Sequence, residues 1–256
     1  MKIKRGIVLT DLQCPYECKK SLNAVEQYMS EYNWDYYLNL GDHLDYFCIA
    51  KYNVGKPGLV EGQTILNEVS QGESVLERHR RIIRANNPKS KMYLLEGNHD
   101  YRATDHVHRN PQLKGIIEPE VVLKLKEKGI EYIKCWSEGK TLQIGKAFFT
   151  HGLYVNQHHP KKMVEAYEEN IFYGHTHDTN SFNKTSKANG KTKVGQSLGC
   201  MCKYPKGVDY RKGAPTKWQI AFTVFYFLPN GLFNYYIVRI HDGSFVSPEG
   251  KLYNGK

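Results

Sequence analysis

Short apolar runs rich in β-branched and aromatic residues recur at 6–10, 36–40, 91–96, 147–150 and 171–173, and each is stopped by Gly, Asp or His. Runs of this length bounded by turn-forming residues predict buried strands. Between the first two, Leu22, Val25 and Met29 fall at helical spacing within 18–32, so the chain opens as a βαβ unit. Residues 62–87 predict a longer helix, with Ile65, Val69, Val75, Leu76, Ile82 and Ile83 roughly on one face and Asn87-Pro88 as its stop. Segment 46–88 as a whole reads as a helical cap or insert. Further on, 141–144, 191–198, 218–228 and 232–240 are strand-like and separated by turn signals, notably Asn189-Gly190 and Pro229-Asn230-Gly231. These hairpins predict a second sheet. The simplest packing is α/β, a four-layer αββα sandwich of two mixed β-sheets flanked by helices. One domain over 1–256 is expected at this length, with residues 243–256 as a loose C-terminal tail.

Composition adds little that changes this picture. Apolar residues make up 40% of the chain and 19 Tyr bring polar tips into the core. The net charge of +10 favours polyanionic partners, which makes nucleic acid a candidate without proving it. The apolar run at 7–9 is too short for an export signal or a membrane span, so the expectation is a cytoplasmic protein with no membrane partner. Six cysteines are then reduced thiols. A four-thiolate zinc site from Cys14, Cys18, Cys200 and Cys202 is a minority reading, because Met201 alone separates the second pair.

The chemistry lies at the carboxyl ends of the strands. Asp11-Leu12-Gln13, Gly41-Asp42, Gly97-Asn98-His99-Asp100, His151-Gly152 and Gly174-His175-Thr176-His177 each place metal-ligating side chains directly after a strand candidate. In α/β sheets the carboxyl ends of strands converge on one edge, which gathers groups distant in sequence. Two carboxylates, two amides and three imidazoles form an oxygen and nitrogen donor set suited to Mn²⁺, Fe or Zn²⁺. Seven donors exceed one tetrahedral ion and suit two ions about 3.5–4 Å apart.

This ordered set resembles the calcineurin-like metallophosphoesterase superfamily, in its phage and bacterial forms, over residues 11–177. The resemblance implies two divalent ions, Mn²⁺ first and Fe or Zn²⁺ next, with Asp11, Gln13 and His177 on one ion. Asn98, His151 and His175 would hold the other, and Asp42 would bridge. It further implies His99 as the catalytic non-ligand, supported by Asp100 and acting as a general acid on the departing oxygen. The implied activity is phosphoester hydrolysis by in-line attack of a hydroxide generated at the metals. The charge leans the substrate towards phosphodiesters, nucleic-acid ends or nucleotides. Phosphomonoesters are the alternative, as is a non-catalytic scaffold or nucleic-acid-binding protein on the same fold. Gln13 stands where many members have histidine, and a neutral amide oxygen would loosen that site or favour a harder ion such as Mn²⁺.

Plainer readings compete at single positions. Asp11 or Asn98 alone would be an ordinary turn residue. His79, His158, His159 and His241 are given no role. His43 and Asp45 are candidate partners that orient ligands; Arg102, His106, His108 and Arg109 are candidates for the rim. Arg78, Arg80, Arg81 and Arg84 read as the solvent side of the long helix. The segment around Cys200-Met201-Cys202 and Lys217-Trp218-Gln219 is loosely similar to one in phage-borne members of the superfamily.

Overall fold

A computed structural model describes residues 2–204 and 216–256. Its strands are β1 (Lys4–Leu9), β2 (Tyr36–Asn39), β3 (Lys91–Leu95), β4 (Ile130–Ile133), β5 (Leu142–Ile144), β6 (Ala147–Phe149), β7 (Asn170–Tyr173), β8 (Ser181–Thr185), β9 (Thr192–Ser197), β10 (Ala221–Phe227), β11 (Phe233–Arg239), β12 (Ser244–Val246) and β13 (Leu252–Asn254). The longer helices are α1 (Lys19–Glu31), α2 (Ile65–Asn86), α3 (Tyr101–Arg109) and α4 (His159–Tyr167). One sheet runs in the order β11-β10-β1-β2-β3-β4, the other β5-β6-β7-β9-β8, and both mix parallel and antiparallel pairs. Among the described residues no helix is long and apolar enough to cross a membrane.

Side-chain alternation along β1 builds the layers. Ile7 and Leu9 face a helical layer in which Leu22, Val25 and Met29 of α1 and Val75, Leu76 and Ile83 of α2 are buried. Val8 turns the other way and joins Leu38, Leu40 and Leu95 against Phe149 and Phe172 of the second sheet. Phe225 lies edge-on to both phenylalanines at 5.2 and 4.9 Å, an arrangement that adds directional attraction to area burial. Outside the second sheet, Met163 and Val164 of α4 cover Ile171 and Tyr173. The result is the expected four-layer αββα sandwich.

The hairpin β10–β11 sits elsewhere than predicted. It extends the first sheet, with Ile7 opposite Val224 in an antiparallel pair with β1. The physical reason is that β10 is apolar on both faces. Phe222 and Val224 enter the helix-side core while Phe225 and Phe227 enter the core between the sheets, so the strand needs cover on both sides.

Two predicted segments also differ in character. Within 46–88, α2 starts on a Thr64 cap that accepts from the Asn67 amide at 3.2 Å, and it belongs to the main helical layer. Residues 47–60 form two single-turn 3₁₀ helices, Phe47–Ile49 and Lys51–Asn53, and a one-turn α-helix, Pro57–Val60, with the Tyr52 ring under the Arg102 guanidinium at 5.3 Å. Residues 244–254 are a hairpin where a loose tail was expected. Phe245 and Tyr253 are each 3% exposed, stack at 5.2 Å, and close on Tyr28 of α1 at 5.9 and 5.2 Å. Aromatic rings spaced along polar sequence carried this packing, and they leave little periodicity to read.

Truncating that contact should be costly. Phe245→Ala is expected to lower unfolding free energy by about 3 kcal/mol, as for other buried Phe truncations. Urea denaturation measures it, and a loss below about 1 kcal/mol would mean that the hairpin is dispensable.

Candidate metal centre

The expected ligands follow β1, β2, β3, β6 and β7, whose carboxyl ends meet at one edge of the sandwich. The chain turns sharply there. Among the described residues, nine non-glycine residues have positive φ, and five are Asp11 (48°), Gln13 (48°), Asp42 (50°), His175 (65°) and His177 (61°). Left-handed backbone costs such residues of order 1–3 kcal/mol each and persists only where surrounding packing imposes it. Two glycines make room. A Cβ on Gly97 would overlap the Asp42 carboxylate and amide, and one on Gly174 would overlap the Asp11 carboxylate.

All seven expected ligand residues come together. Donor atoms of Asp11, Asp42 and His177 lie within 4.8 Å of one another, as do those of Asp42, His151 and His175, so Asp42 is common to both groups. Asp11 accepts the His175 amide at 3.1 and 3.0 Å, with His177 Nε2 3.2 Å from its Oδ1. Asp42 Oδ1 accepts the His99 amide at 2.7 Å, and its Oδ2 lies 3.4 Å from His151 Nε2. Asn98 Oδ1 is 2.9 Å from the same Nε2.

The donor set fits divalent cations on two structural grounds. Gln13 turns its Nε2 towards Asp42 (3.5 Å) and His177 (3.4 Å), while its Oε1 is buried without a partner. A half-turn of the amide would bring that oxygen to face the cluster, where it could bind a cation. His151 donates Nδ1–H to the Leu40 carbonyl at 2.9 Å, which leaves Nε2 as the nitrogen that could bind a metal. Burial opposes a charge on His151 and His177, yet the Asp42 and Asp11 carboxylates respectively raise each to about 9. Burial and the neighbouring His151 push His175 down to about 3.

His99 stands beside this cluster, 3.7 Å from Asp42 Oδ2. Its supporting carboxylate is Asp45, not Asp100. Asp45 Oδ2 lies 3.2 Å from His99 Nδ1 and also accepts the Tyr204 hydroxyl, while its Oδ1 accepts from Arg102 at 2.8 Å. Asp100 instead takes the amides of Gly97 and Leu44 at 3.0 and 3.1 Å, so it ties the two ligand-bearing turns together. Burial and the nearby Asp42 raise Asp100 to about 7. His43 likewise reaches no ligand, because its ring spans Asn39 and the Gly72 carbonyl of α2 at 2.9 Å each.

Of the rim candidates Arg102 alone reaches the cluster, donating to His99 Nε2 at 3.0 Å. Arg109 pairs with Asp105 at 2.6 Å, and His106 contacts Asn110. Arg78 pairs with Glu26, Arg80 and Arg81 with Glu77, and Arg84 with backbone carbonyls. The four thiols of the zinc reading do not assemble. Among the described residues, Cys200 and Cys202 group with His177 instead, whose Nδ1 is 3.8 Å from Cys202 Sγ. Sequence reasoning assigned no role to two indoles that flank the histidines: Trp136 lies 5.4 Å from the His175 ring, and Trp218 lies 4.2 Å from His177. Trp218 had a signal in the Lys217-Trp218-Gln219 segment; Trp136 had none.

A family model described as calcineurin-like phosphoesterase matches residues 5–179. The chain belongs to the calcineurin-like phosphoesterase family. This family member is 24% identical over 230 residues to the Gene 54 protein of Mycobacterium phage L5, covering 86% of this chain and 88% of that one. Similar solved structures include Vps29 from Chaetomium thermophilum, at 11% identity over 98% of this chain and 93% of that chain, with a TM-score of 0.49. A metallophosphoesterase from Sphaerobacter thermophilus is another, at 14% identity over 94% and 89%, with a TM-score of 0.45.

The histidine pairs set a pH dependence in the chelated protein. A folded-state value raised from 6.5 to about 9 contributes stability that is full below 6.5 and lost as pH rises through about 9. The urea midpoint is expected to fall across that window, and Asp42→Asn to remove the His151 share. A midpoint flat across the window would mean that neither pair holds its proton.

Proposed function

We propose that the chain is a hydrolase of phosphoesters that works with two divalent ions, in keeping with its family. The observation that carries this reading is the pair of donor groups sharing Asp42, with the non-ligand His99 alongside. Asp11, Gln13 and His177 would hold one ion; Asn98, His151 and His175 the other; and Asp42 both. The oxygen-rich first group, with Gln13 in place of a second imidazole, favours Mn²⁺ over Fe or Zn²⁺. When bound, the ions would supply Lewis acidity towards a phosphoryl group and would lower the pKa of a bound water.

The residues of the chain supply the rest. Asp45 fixes the Nδ1 side of His99, which leaves Nε2 as the atom that would face the departing oxygen; it would take up a proton there from solvent once Arg102 has moved away, and pass it to that oxygen. In the free protein Arg102 donates to that Nε2. A substrate phosphoryl group offers the guanidinium stronger, charge-assisted acceptors, so Arg102 would swing to it and free His99. Tyr52, beneath Arg102, places residues 47–60 next to this guanidinium, and we read them as covering this side of the site. The net charge of +10 supports a phosphodiester or nucleotide substrate, in a bacterial or phage setting.

Purified protein supplied with Mn²⁺ should hydrolyse an aryl phosphodiester and lose that activity on chelation. Asp42→Asn and His175→Ala should each reduce metal content, and lower kcat by more than the about 10–100-fold typical of losing an outer partner of a ligand. Full activity in metal-free protein defeats the reading. Separately, Gln13→His should keep activity but shift the order of activation by Mn²⁺, Zn²⁺ and Mg²⁺. An identical profile would exclude Gln13 as a ligand.

A further inference from the structure

Cys200, Met201 and Cys202 run past the ligand-bearing turn after β1, with the Met201 amide on the Thr10 and Asp11 carbonyls at 3.0 and 3.2 Å. Alternation along this segment sends Met201 into the helix-side core and both thiols the other way. The single residue between the cysteines, which argues against zinc when only spacing is counted, is what puts two sulfurs on one face. There they meet His177, and one donor atom from each of the three residues lies within 4.8 Å of the others. All three are buried, with His177 4% exposed, Cys200 0% and Cys202 2%.

These donor atoms have weak partners. The Nδ1 atoms of His99 and His151 face a carboxylate and a carbonyl at 3.2 and 2.9 Å, whereas His177 Nδ1 faces the Cys202 sulfur at 3.8 Å. Cys200 Sγ contacts the Cys202 carbonyl at 3.9 Å, while the buried Cys135 thiol donates to the Glu96 carbonyl at 2.8 Å. Two sulfurs and one imidazole nitrogen at such separations suit a tetrahedral ion: metal–sulfur bonds of about 2.3 Å and metal–nitrogen bonds of about 2.0–2.1 Å set ligand atoms roughly 3.5–3.8 Å apart. A fourth position on such an ion is commonly taken by water. Thiolates select zinc-type ions over Mn²⁺, so this set differs in kind from the oxygen-rich group of Asp11 and Gln13.

We propose that Cys200, Cys202 and His177 Nδ1 form a separate site for a thiophilic ion, Zn²⁺ in the first place, and that its occupation opposes ion binding by the Asp11 group. Two metal–sulfur bonds and one metal–nitrogen bond form, and the thiol protons and any proton on Nδ1 leave to solvent. A neutral imidazole has one free lone pair. With Nδ1 on zinc the ring proton sits on Nε2, which lies 3.2 Å from Asp11 Oδ1. His177 then donates a hydrogen bond to Asp11 and is lost as a ligand to the first ion. The thiol site stands without the hydrolase reading; the antagonism rests on the ligand role which that reading gives His177.

The test uses the full chain, metal-free and with its thiols reduced, and Co²⁺ as a coloured substitute for Zn²⁺. Cobalt held by thiolate absorbs strongly in the near ultraviolet, and cobalt held by oxygen and nitrogen alone does not. Titration should raise that band and Zn²⁺ should bleach it. Cys200→Ser with Cys202→Ser should lack the band, while Cys14→Ser with Cys18→Ser keeps it. Cys200→Ala with Cys202→Ala is the second variant where serine disturbs the buried segment, and the urea midpoint checks that each is folded. By calorimetry, one equivalent of Zn²⁺ should weaken Mn²⁺ binding at least about tenfold more in the unaltered chain than in the Cys200 and Cys202 variants. No thiolate band in the unaltered chain, or a band that survives in those variants, overturns the site. A band without the difference in Mn²⁺ binding overturns the antagonism. Failure to hydrolyse the aryl phosphodiester defeats the hydrolase reading alone and leaves the band in place.

Discussion

Two carboxylates, Asp11 and Asp42, are withdrawn from water at the sandwich edge, and the rest of the site is arranged around their burial. They are 0% and 1% exposed. A buried anion of this kind is tolerable only when hydrogen-bonded and matched by positive charge. Backbone amides of His175 and His99 provide the first need, and the imidazoles of His177 and His151 the second. Bringing amide, carboxylate and imidazole together requires five side chains to leave their strands through left-handed backbone. It also requires glycine at 97 and 174. The strain is sustained because the turns are anchored on both sides by packed strands, and by Asp100 bonding to two of them.

Much of this was legible because it obeys local rules. Strand-ending ligands are visible when a buried apolar run stops at Gly-Asp or Gly-Asn-His, and the parallel pairs β1–β2–β3 and β6–β7 then guarantee a common edge. What was not legible depends on partners chosen at long range. The composition of β10 announces a strand buried on both faces, but only its antiparallel match to β1 places it in the first sheet. The hairpin 244–254 depends on Tyr28, far away in sequence. Sequence adjacency suggested Asp100 as the partner of His99, whereas the helical backbone after Gly97 turns that carboxylate back onto amides and leaves the imidazole to Asp45.

The His99 surroundings also separate two kinds of buried acid. Asp45 faces an imidazole and a guanidinium; burial opposes its charge, but His99 and Arg102 hold it below the usual carboxylate range. Asp100 accepts from backbone amides and has Asp42 as a like-charged neighbour, and burial drives it up to about 7. Two aspartates within one turn-rich region are thus tuned in opposite directions by what each touches.

The ligand-bearing turns descend from different leaves of the sandwich: Asp11, Gln13, Asp42 and Asn98 from the first sheet, His151, His175 and His177 from the second. Under the proposed reading an ion gripped by both sets is a rivet through the two leaves. Its binding energy is then also adhesion between layers. The aromatic packing of Phe149, Phe172 and Phe225 deeper in the seam becomes part of the coordination geometry. A chain stripped of its ions would first gape at this edge, and one with a loosened seam would hold its ions badly even with every ligand intact.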